Sequence, residues 1–454
     1  MNQERFSKLQ GVIGLSTLGI VLVSALALGA NRPVSWSLLA IAVTGIFALQ
    51  ALVSLAGPAP VAVRRALWPG FFILLGVGWG WLQVLPGLPK ALMHPVWQFV
   101  PEATAYISAD PGASRHAVMR MMCYVLVFVI LLWTCVKPQR AEIALRMIAI
   151  FSTALAAYGL YSFTTGTNII LGDYTNAGIV QASFVNRNSY ATYAIFGALA
   201  NIACYLQIAD NSDDSLRGRL EGFFSGAWIF ALGILLCIGA VSLTQSRAGA
   251  GAGLVGLLVF WLSWRSNKSG SDRVAVAAMV ATLLFIGSTS ATGLLERLIS
   301  TDASDARFAI YPAIWQAIFD RPLLGHGAGT FYDAFRPYVP LEAAPREWAR
   351  AHSTYLELAF GLGLPAAGAF LIGQAMIAAR LWSGARKRRK DRIYTCFALG
   401  CVGAAGFHAL FDFSLQMPAT AALYAAILAI GYAQSFTFRE RAVDAPARRR
   451  KPKD

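Results

Sequence analysis

The chain is poor in charge. Only 13% of its 454 residues are charged and 57% are hydrophobic, where a water-soluble domain carries about 25% charged and about 45–50% apolar residues. A soluble enzyme of this length is excluded, and a lipid bilayer is the solvent that such a composition fits. Acidic residues are the scarcer kind, 23 against 38 Lys and Arg, which leaves a net charge of +15. In a soluble protein that excess would point to nucleic acid. Cytoplasmic loops of membrane proteins collect Lys and Arg by themselves, so no nucleic acid is expected as a partner. The six cysteines, Cys123, Cys135, Cys204, Cys237, Cys396 and Cys401, form no CxxC pair and no Cys/His cluster at zinc-ligand spacing. They read as small buried hydrophobes. The first apolar run, Gly11 to Ala30, is not followed by a convincing small-x-small cleavage site, so it reads as a retained span. No internal repeat of the kind that marks many secondary transporters is visible.

What the chain does have is a series of apolar runs about 17–25 residues long. Twelve are expected to span a membrane, at approximately 11–30, 36–57, 67–85, 118–136, 141–163, 189–209, 223–243, 248–264, 274–294, 354–379, 394–411 and 419–435. Lipid offers the backbone no hydrogen-bond partner, so these runs should be helices. The expected fold is an all-α polytopic membrane protein, with residues 1–454 as a single membrane domain. An inside N-terminus gathers Arg5, Lys8, Arg64, Arg65, Lys137, Arg140, Arg217, Arg219 and Arg265 on the cytoplasmic side, with the run around Arg386 to Lys390 and the basic tail 436–454. The other side keeps Arg32, Lys90, Arg115, Arg187 and Arg247 and those of one long loop. This asymmetry puts both termini in the cytoplasm. The basic runs are juxtamembrane charge facing anionic lipid.

Two loops on the opposite side are long, 86–117 and 295–353, and long ordered loops are uncommon unless they do something. The second has a helical period, with Phe308, Tyr311, Ile314 or Trp315, and Ile318 or Phe319 on one face. It is expected to hold an amphipathic helix lying on the membrane or on the bundle. That helix breaks at Arg321-Pro322 and at the turn Gly325-His326-Gly327-Ala328-Gly329, where His326 reads as a surface residue. His94 and His116 in the first long loop read as exposed.

Polar features collect at the same boundary: Asn186-Arg187-Asn188 before the sixth span, Ser246-Arg247 between the seventh and eighth, Arg307 in the long loop, and His352-Ser353 at the entrance to the tenth. A single Arg at a helix end is usually a snorkelling anchor. Several on one side, with one His, suit a phosphorylated lipid. Guanidinium forks make bidentate, charge-assisted hydrogen bonds to phosphate oxygens, and His, with an ordinary pKa of about 6.5, takes a proton from a hydroxyl near neutral pH. The set reads as leaving-group stabilisation plus a general base. His408 and Asp412, at the outer end of the eleventh span, read as a hydrogen-bonded lock between helices, with Asp412 also a candidate substrate contact. Asp302 and Asp305 are too weakly spaced to define a cation site, and the first outer loop, Asn31 to Ser35, has no acid at all. No metal and no cofactor is expected, and activity should survive chelation.

The stretch Arg307-x-x-x-Tyr311-Pro312, then Arg321-Pro322-Leu323-Leu324-Gly325-x-Gly327-x-Gly329-x-Phe331, then His352-Ser353-x-Tyr355-Leu356-Glu357, resembles the O-antigen ligase and polysaccharide polymerase superfamily of bacterial membrane glycosyltransferases. Phe184-Val185-Asn186-Arg187-Asn188, Ser246-Arg247-Ala248-Gly249 and His408-x-x-Phe411-Asp412-Phe413 extend the resemblance over roughly residues 180 to 420. It implies a GT-C-like, metal-independent, inverting glycosyltransferase in the bacterial inner membrane, working on its periplasmic side. The donor would be a glycan on undecaprenyl pyrophosphate and the acceptor a sugar hydroxyl. Arg247 and Arg307 would hold the pyrophosphate and His352 would activate the acceptor. Arg187, Asn186, Asn188, Ser246 and Asp412 would contact the substrate. The family often has His-Asn where this chain has His352-Ser353. Membrane lipids and other polysaccharide assembly and export proteins are the further partners that the resemblance implies.

Two classes remain. One is the glycosyltransferase, either a polymerase of repeat units, which the Asn186 and His408 segments favour, or a ligase that passes finished glycan to another lipid. The other is a lipid or glycan transporter. A transporter needs ionisable groups near mid-bilayer, and here Arg120 and Arg146 fall near the expected span ends.

Overall fold

The protein is described by a computed structural model over residues 3–55, 57–100, 102–170, 178–211, 215–265, 309–343, 346–388, 390–437 and 440. The expected ninth span at 274–294, Asp302, Asp305, Arg307, Phe308 and the end of the basic tail lie outside the described residues. Among the described residues all regular structure is helical.

The helices are α1 (Gln3–Ser24), α2 (Pro33–Ser54), α3 (Val61–Arg65), α4 (Leu67–Leu82), α5 (Pro111–Thr134), α6 (Pro138–Thr165), α7 (Arg187–Asn211) and α8 (Leu216–Gly222). Then come α9 (Trp228–Leu243), α10 (Arg247–Trp264), α11 (Tyr311–Asp320), α12 (Phe331–Ala334), α13 (Thr354–Leu362), α14 (Leu364–Lys387), α15 (Ile393–His408) and α16 (Pro418–Gln434). Local chemistry sets their starts. Pro33, Pro111, Pro138 and Pro418 each occupy the first helical position, where a missing N–H costs nothing. Asp110 caps α5, its Oδ1 accepting from the Gly112 and Ala113 amides at 2.8 and 3.0 Å.

Eight helical stretches among the described residues, one of them Leu220–Leu243 running from α8 into α9, are long and apolar enough to cross a bilayer, and three shorter apolar helices, α4, α15 and α16, pack among them. The protein is a multi-pass membrane protein. Apart from 274–294 and 354–379, every expected span coincides with one of these helices. The expected tenth span, 354–379, requires a correction: it is two helices, α13 and α14, joined at Gly363. That residue has φ 77°, and a Cβ there would lie 2.6 Å from the Leu323 carbonyl oxygen. Hydropathy is continuous through the break, but the backbone turns because only glycine fits against the loop packed there.

Burial orders the bundle. α7 is central, with 72% of its membrane-length window buried against 22% for α2, and all of α16 except Tyr424 is buried. α10 and α15 touch through small residues: a Cβ on Gly256 would sit 2.9 Å from the Ala404 Cβ and 3.0 Å from the Gly400 carbonyl oxygen, the close approach by which helices associate where lipid is the solvent. Large apolar residues at the periphery, such as Val34, Ile41 and Leu52, are more than 60% exposed and form the face for lipid. All six cysteines are buried and unbridged.

The two ends of the bundle differ in chemistry. At one end Arg140 and Lys137 meet Ser7, Tyr432 donates to the Arg65 carbonyl, and Arg392 donates to the Trp264 carbonyl at 2.7 Å. This basic end gathers the Lys and Arg that the sequence assigns to one compartment. The opposite end, the loop end, carries the long loops. There α11 buries Ala313, Ile314, Ala317 and Ile318 in a satellite core with Phe331, Phe335, Trp348 and Phe360. The expected helix exists and docks on protein, but Trp315 and Phe319 lie on its exposed side, stacked on each other at 5.7 Å.

Candidate active site at the loop end

The site begins with two helix starts. Asn186 Oδ1 accepts from the Asn188 and Ser189 amides at 2.8 and 3.1 Å, and Ser246 Oγ accepts from the Gly249 amide at 3.0 Å. Asn and Ser are preferred at this position because their oxygens satisfy amides that the helix leaves open. The capped helices start with Arg187 and Arg247, both half-buried. Their first turns touch: a Cβ on Gly249 would lie 2.8 Å from the Ala191 Cβ. Arg187 and Arg247 are therefore the first residues of two helices that touch near their starts, and the N-terminal end of a helix favours anions. Arg247 has no ion pair or hydrogen bond among the described residues.

A polar lock holds the first turns of α7 against the end of α15. Asn188 Nδ2 donates to Asp412 Oδ2 at 2.5 Å, and Asp412 Oδ1 accepts from the Phe413 amide at 2.8 Å and the Ser414 hydroxyl at 3.2 Å. One turn along, the Thr192 hydroxyl meets His408 Nδ1 at 2.6 Å. Asp412 is fully buried and His408 nearly so. Buried polar groups must be hydrogen-bonded, and here the bonds join two helices, as expected from the sequence. Their partners on α7, Asn188 and Thr192, lie one helical turn apart.

His352 sits on the turn before α13, in the left-handed region at φ 51°, where a non-glycine residue is uncommon and costs energy. Surrounding groups hold it there. The Tyr311 hydroxyl donates to the His352 carbonyl at 3.2 Å. Glu357 reaches back from α13, taking the Ala351 amide at 3.0 Å and Arg350 Nη1 at 3.1 Å, and the same Nη1 reaches Gln416 Oε1 at 3.1 Å. Ser353 caps α13. The His352 ring is half-buried, 5.4 Å from Phe413 and 6.1 Å from Trp348, edge to face with both. Phe413 follows Asp412, and Thr354 Oγ1 donates to the Asp412 carbonyl at 3.1 Å. The histidine turn, the lock and the two arginine-bearing helix starts are thus one contiguous assembly.

The long loops frame it. Arg321 donates from Nε to the Gly325 carbonyl and from its two terminal nitrogens to the Met93 and Leu92 carbonyls, at 3.0 to 3.2 Å. His94 Nδ1 accepts from the Val96 amide, His94 Nε2 meets His326 Nδ1 at 3.0 Å, and His326 Nε2 meets the Ala317 carbonyl at 2.8 Å. One proton per ring satisfies this chain, so both rings are neutral. Burial first, then the nearby His326 and Arg321, holds His94 down to about 3, and burial lowers His326 as well. His326 is therefore not the surface residue that the glycine-rich turn suggests. It is 2% exposed, stacked on Phe360 at 4.4 Å, and it joins the two loops.

Of the residues singled out in the sequence, Asn186, Arg187, Asn188, Ser246, His352 and Asp412 are brought together through these contacts, with Arg247 beside them. Arg307 lies outside the described residues. Sequence reasoning missed Arg350 and the positioning role of Glu357, and it placed Arg120 at a span end. The signal for Arg120 was present: Asp110-Pro111 is a cap followed by a first-turn proline. It starts α5 at residue 111, so Arg120 lies nine residues, about 13 Å, along the helix.

Residues 232–371 match the family model described as O-antigen ligase. The matched segment runs from α9 into α14 and contains Ser246, Arg247 and His352. Over it the chain is similar to the O-antigen ligase and polymerase superfamily, which at the family level is a class of glycosyltransferase-like membrane enzymes that act on lipid-linked glycans. No curated protein matches the chain.

Proposed function

We propose that this protein transfers glycan from a lipid diphosphate carrier, undecaprenyl pyrophosphate, to a sugar hydroxyl at the loop end of the bundle, and so polymerises the repeat units of a surface polysaccharide or exopolysaccharide. The observation that carries the reading is the assembly around His352. One imidazole on a strained, tightly held turn packs on Phe413, whose neighbour Asp412 holds the Arg187-bearing start of α7, and that start touches the Arg247-bearing start of α10. In this mechanism His352 takes the proton of the acceptor hydroxyl as its oxygen attacks the anomeric carbon. The bond from that carbon to the diphosphate oxygen breaks on the opposite face, so the configuration inverts. The diphosphate leaves with its charge on Arg247 and Arg307, whose guanidinium groups stabilise it without a metal. Arg187 and the caps Asn186 and Ser246 contact the donor head, while Asn188 and Asp412 position the wall against which His352 packs. On this reading the loop end faces the periplasm, the basic end faces the cytoplasm, and the membrane is the bacterial inner membrane.

The test is incubation of purified protein with lipid-linked repeat unit alone. Products of increasing length support the polymerase. Product only on addition of a second lipid acceptor makes the protein a ligase. Movement of lipid-linked sugar across vesicles with no glycosidic bond formed refutes the enzyme.

A further inference from the structure

Helix α11 docks on the satellite core with one face and leaves the rest bare. At about 100° per residue, Ala313, Ile314, Ala317 and Ile318 fill the docked arc. The exposed remainder is divided by chemistry. Pro312, Trp315 and Phe319 share an arc of about 60°, and Gln316 and Asp320 take an adjoining arc of about 40°. Trp315 and Phe319 are 44% and 63% exposed, and Leu323, just past the end of the helix, is 67% exposed. A run of large exposed apolar side chains marks an interaction surface.

The position of the helix selects the partner, because both of its ends are tied to the ends of membrane helices. At its start the Tyr311 hydroxyl donates to the His352 carbonyl at 3.2 Å, and two residues on the Thr354 amide donates to the carbonyl of Ala409, just past the end of α15, at 2.9 Å. Beyond its end the Pro322 carbonyl accepts from the amide of Leu364, the first residue of α14, at 2.7 Å. Trp79 on α4 donates from its indole to the Leu324 carbonyl at 3.2 Å. α11 therefore lies across the loop end of the bundle, at the level where the spans stop. Leu82, Leu85 and Leu364 at these span ends are exposed as well, so the bare stripe continues the face for lipid.

We propose that Trp315, Phe319 and Leu323 are seated in the boundary layer of the bilayer, which makes α11 an interfacial helix wedged between lipid and the satellite core. Tryptophan favours the headgroup level, and a helix with an apolar stripe beside a polar one lies in the interface plane with the apolar side sunk about 5–10 Å. Tyr311 stands one turn before Trp315, so the lipid seat reaches the turn that carries His352 through a single hydrogen bond. This surface does not depend on the function proposed above.

Fluorescence quenching of the full chain in phosphatidylglycerol and phosphatidylcholine vesicles tests it. All six native cysteines are buried, so an environment-sensitive thiol label goes to one introduced cysteine. Phe319→Cys and Leu323→Cys put the label on the apolar stripe, and Gln316→Cys puts it on the polar one. A lipid with a nitroxide near the top of its acyl chain should quench the two apolar positions severalfold more than the polar one, and aqueous iodide should give the reverse order. Two apolar positions keep the test open if one variant does not fold. Iodide quenching in folded Phe319→Cys and Leu323→Cys as strong as in Gln316→Cys overturns the proposal. Efficient disulfide cross-linking of unlabelled Phe319→Cys chains to one another overturns it too, since the stripe would then be covered by a second copy.

Discussion

The contact between Asn188 and Asp412 gives the sharpest test of how the site is held. Asn188→Asp replaces an amide donor with a second carboxylate 2.5 Å from Asp412 Oδ2, in a place where the two residues are 8% and 0% exposed. Two unit charges that close repel by about 7 kcal/mol at an effective dielectric constant of about 20. Keeping one proton on the pair at pH 7 costs less, about 4 kcal/mol relative to a free carboxyl of pKa about 3.9. The proton therefore stays and the pair shares it, as neighbouring carboxylates do. The folded state then binds a proton that the unfolded chain releases, so the variant is most stable below about pH 4 and loses stability as pH rises, by about 1.4 kcal/mol per unit. Between pH 5 and pH 7 the gap from wild type should widen by about 2.7 kcal/mol.

Thermal unfolding of purified protein at those two pH values reads this directly. A gap that does not change with pH would refute the shared-proton argument. The exchange Asn188→Asp with Asp412→Asn restores one donor and one acceptor, and stability should recover to within about 1 kcal/mol of wild type. Turnover then decides the role of the pair. A positioning pair regains activity with stability, while a pair that touches substrate regains stability alone.

Other outcomes follow from the same geometry. His352→Ala should lower turnover by about 10²- to 10⁴-fold while donor binding persists, because a general base acts in the chemical step; wild-type polymer length and yield in that strain would rule out the base. Arg247→Ala should weaken both donor binding and turnover, and Arg247→Lys should restore neither fully, since the planar fork is lost; full rescue by lysine would show that charge alone suffices. Transfer activity should persist in excess chelator, and a strict requirement for magnesium or manganese would count against the mechanism. The folded state depresses the pKa of His94 from 6.5 to about 3, so its contribution is complete above pH 6.5 and declines as pH falls toward 3. Amide exchange across residues 92–110 should accelerate over that range, and less steeply in His94→Gln; identical pH profiles would remove His94 from the loop junction.

The spans were legible because hydropathy is a property of consecutive residues, whereas the capping by Asn186 and Ser246, local as it is, was seen only in the structure. What the sequence did not reveal depends on partners distant in the chain. Hydropathy alone hides the break in the run 354–379, although Gly363 and Pro365 punctuate it; what fixes the turn is the contact of Gly363 with Leu323 and the Gly325 amide. His326 looked exposed because Gly325 and Gly327 suggest a turn, and the turn is real, but its burial comes from Phe360 and Ala317. Arg120 was misplaced because an apolar window starts where charge ends, whereas α5 starts at its cap.

The break at Gly363 also explains why the histidine turn can be so tightly specified. In an unbroken span the helix axis of α14 would fix the residues before it. As a separate nine-residue helix, α13 is free to dock on the satellite core through Ala359 and Phe360. From there Glu357 reaches the Ala351 amide and Arg350 on either side of one carboxylate. One bond shapes the backbone next to His352 and the other holds the Arg350 guanidinium, which also reaches Gln416. Any anion that draws Arg350 away from Glu357 therefore acts on the turn that carries His352, and Glu357→Gln, which keeps the shape but weakens the hold on Arg350, should uncouple the two.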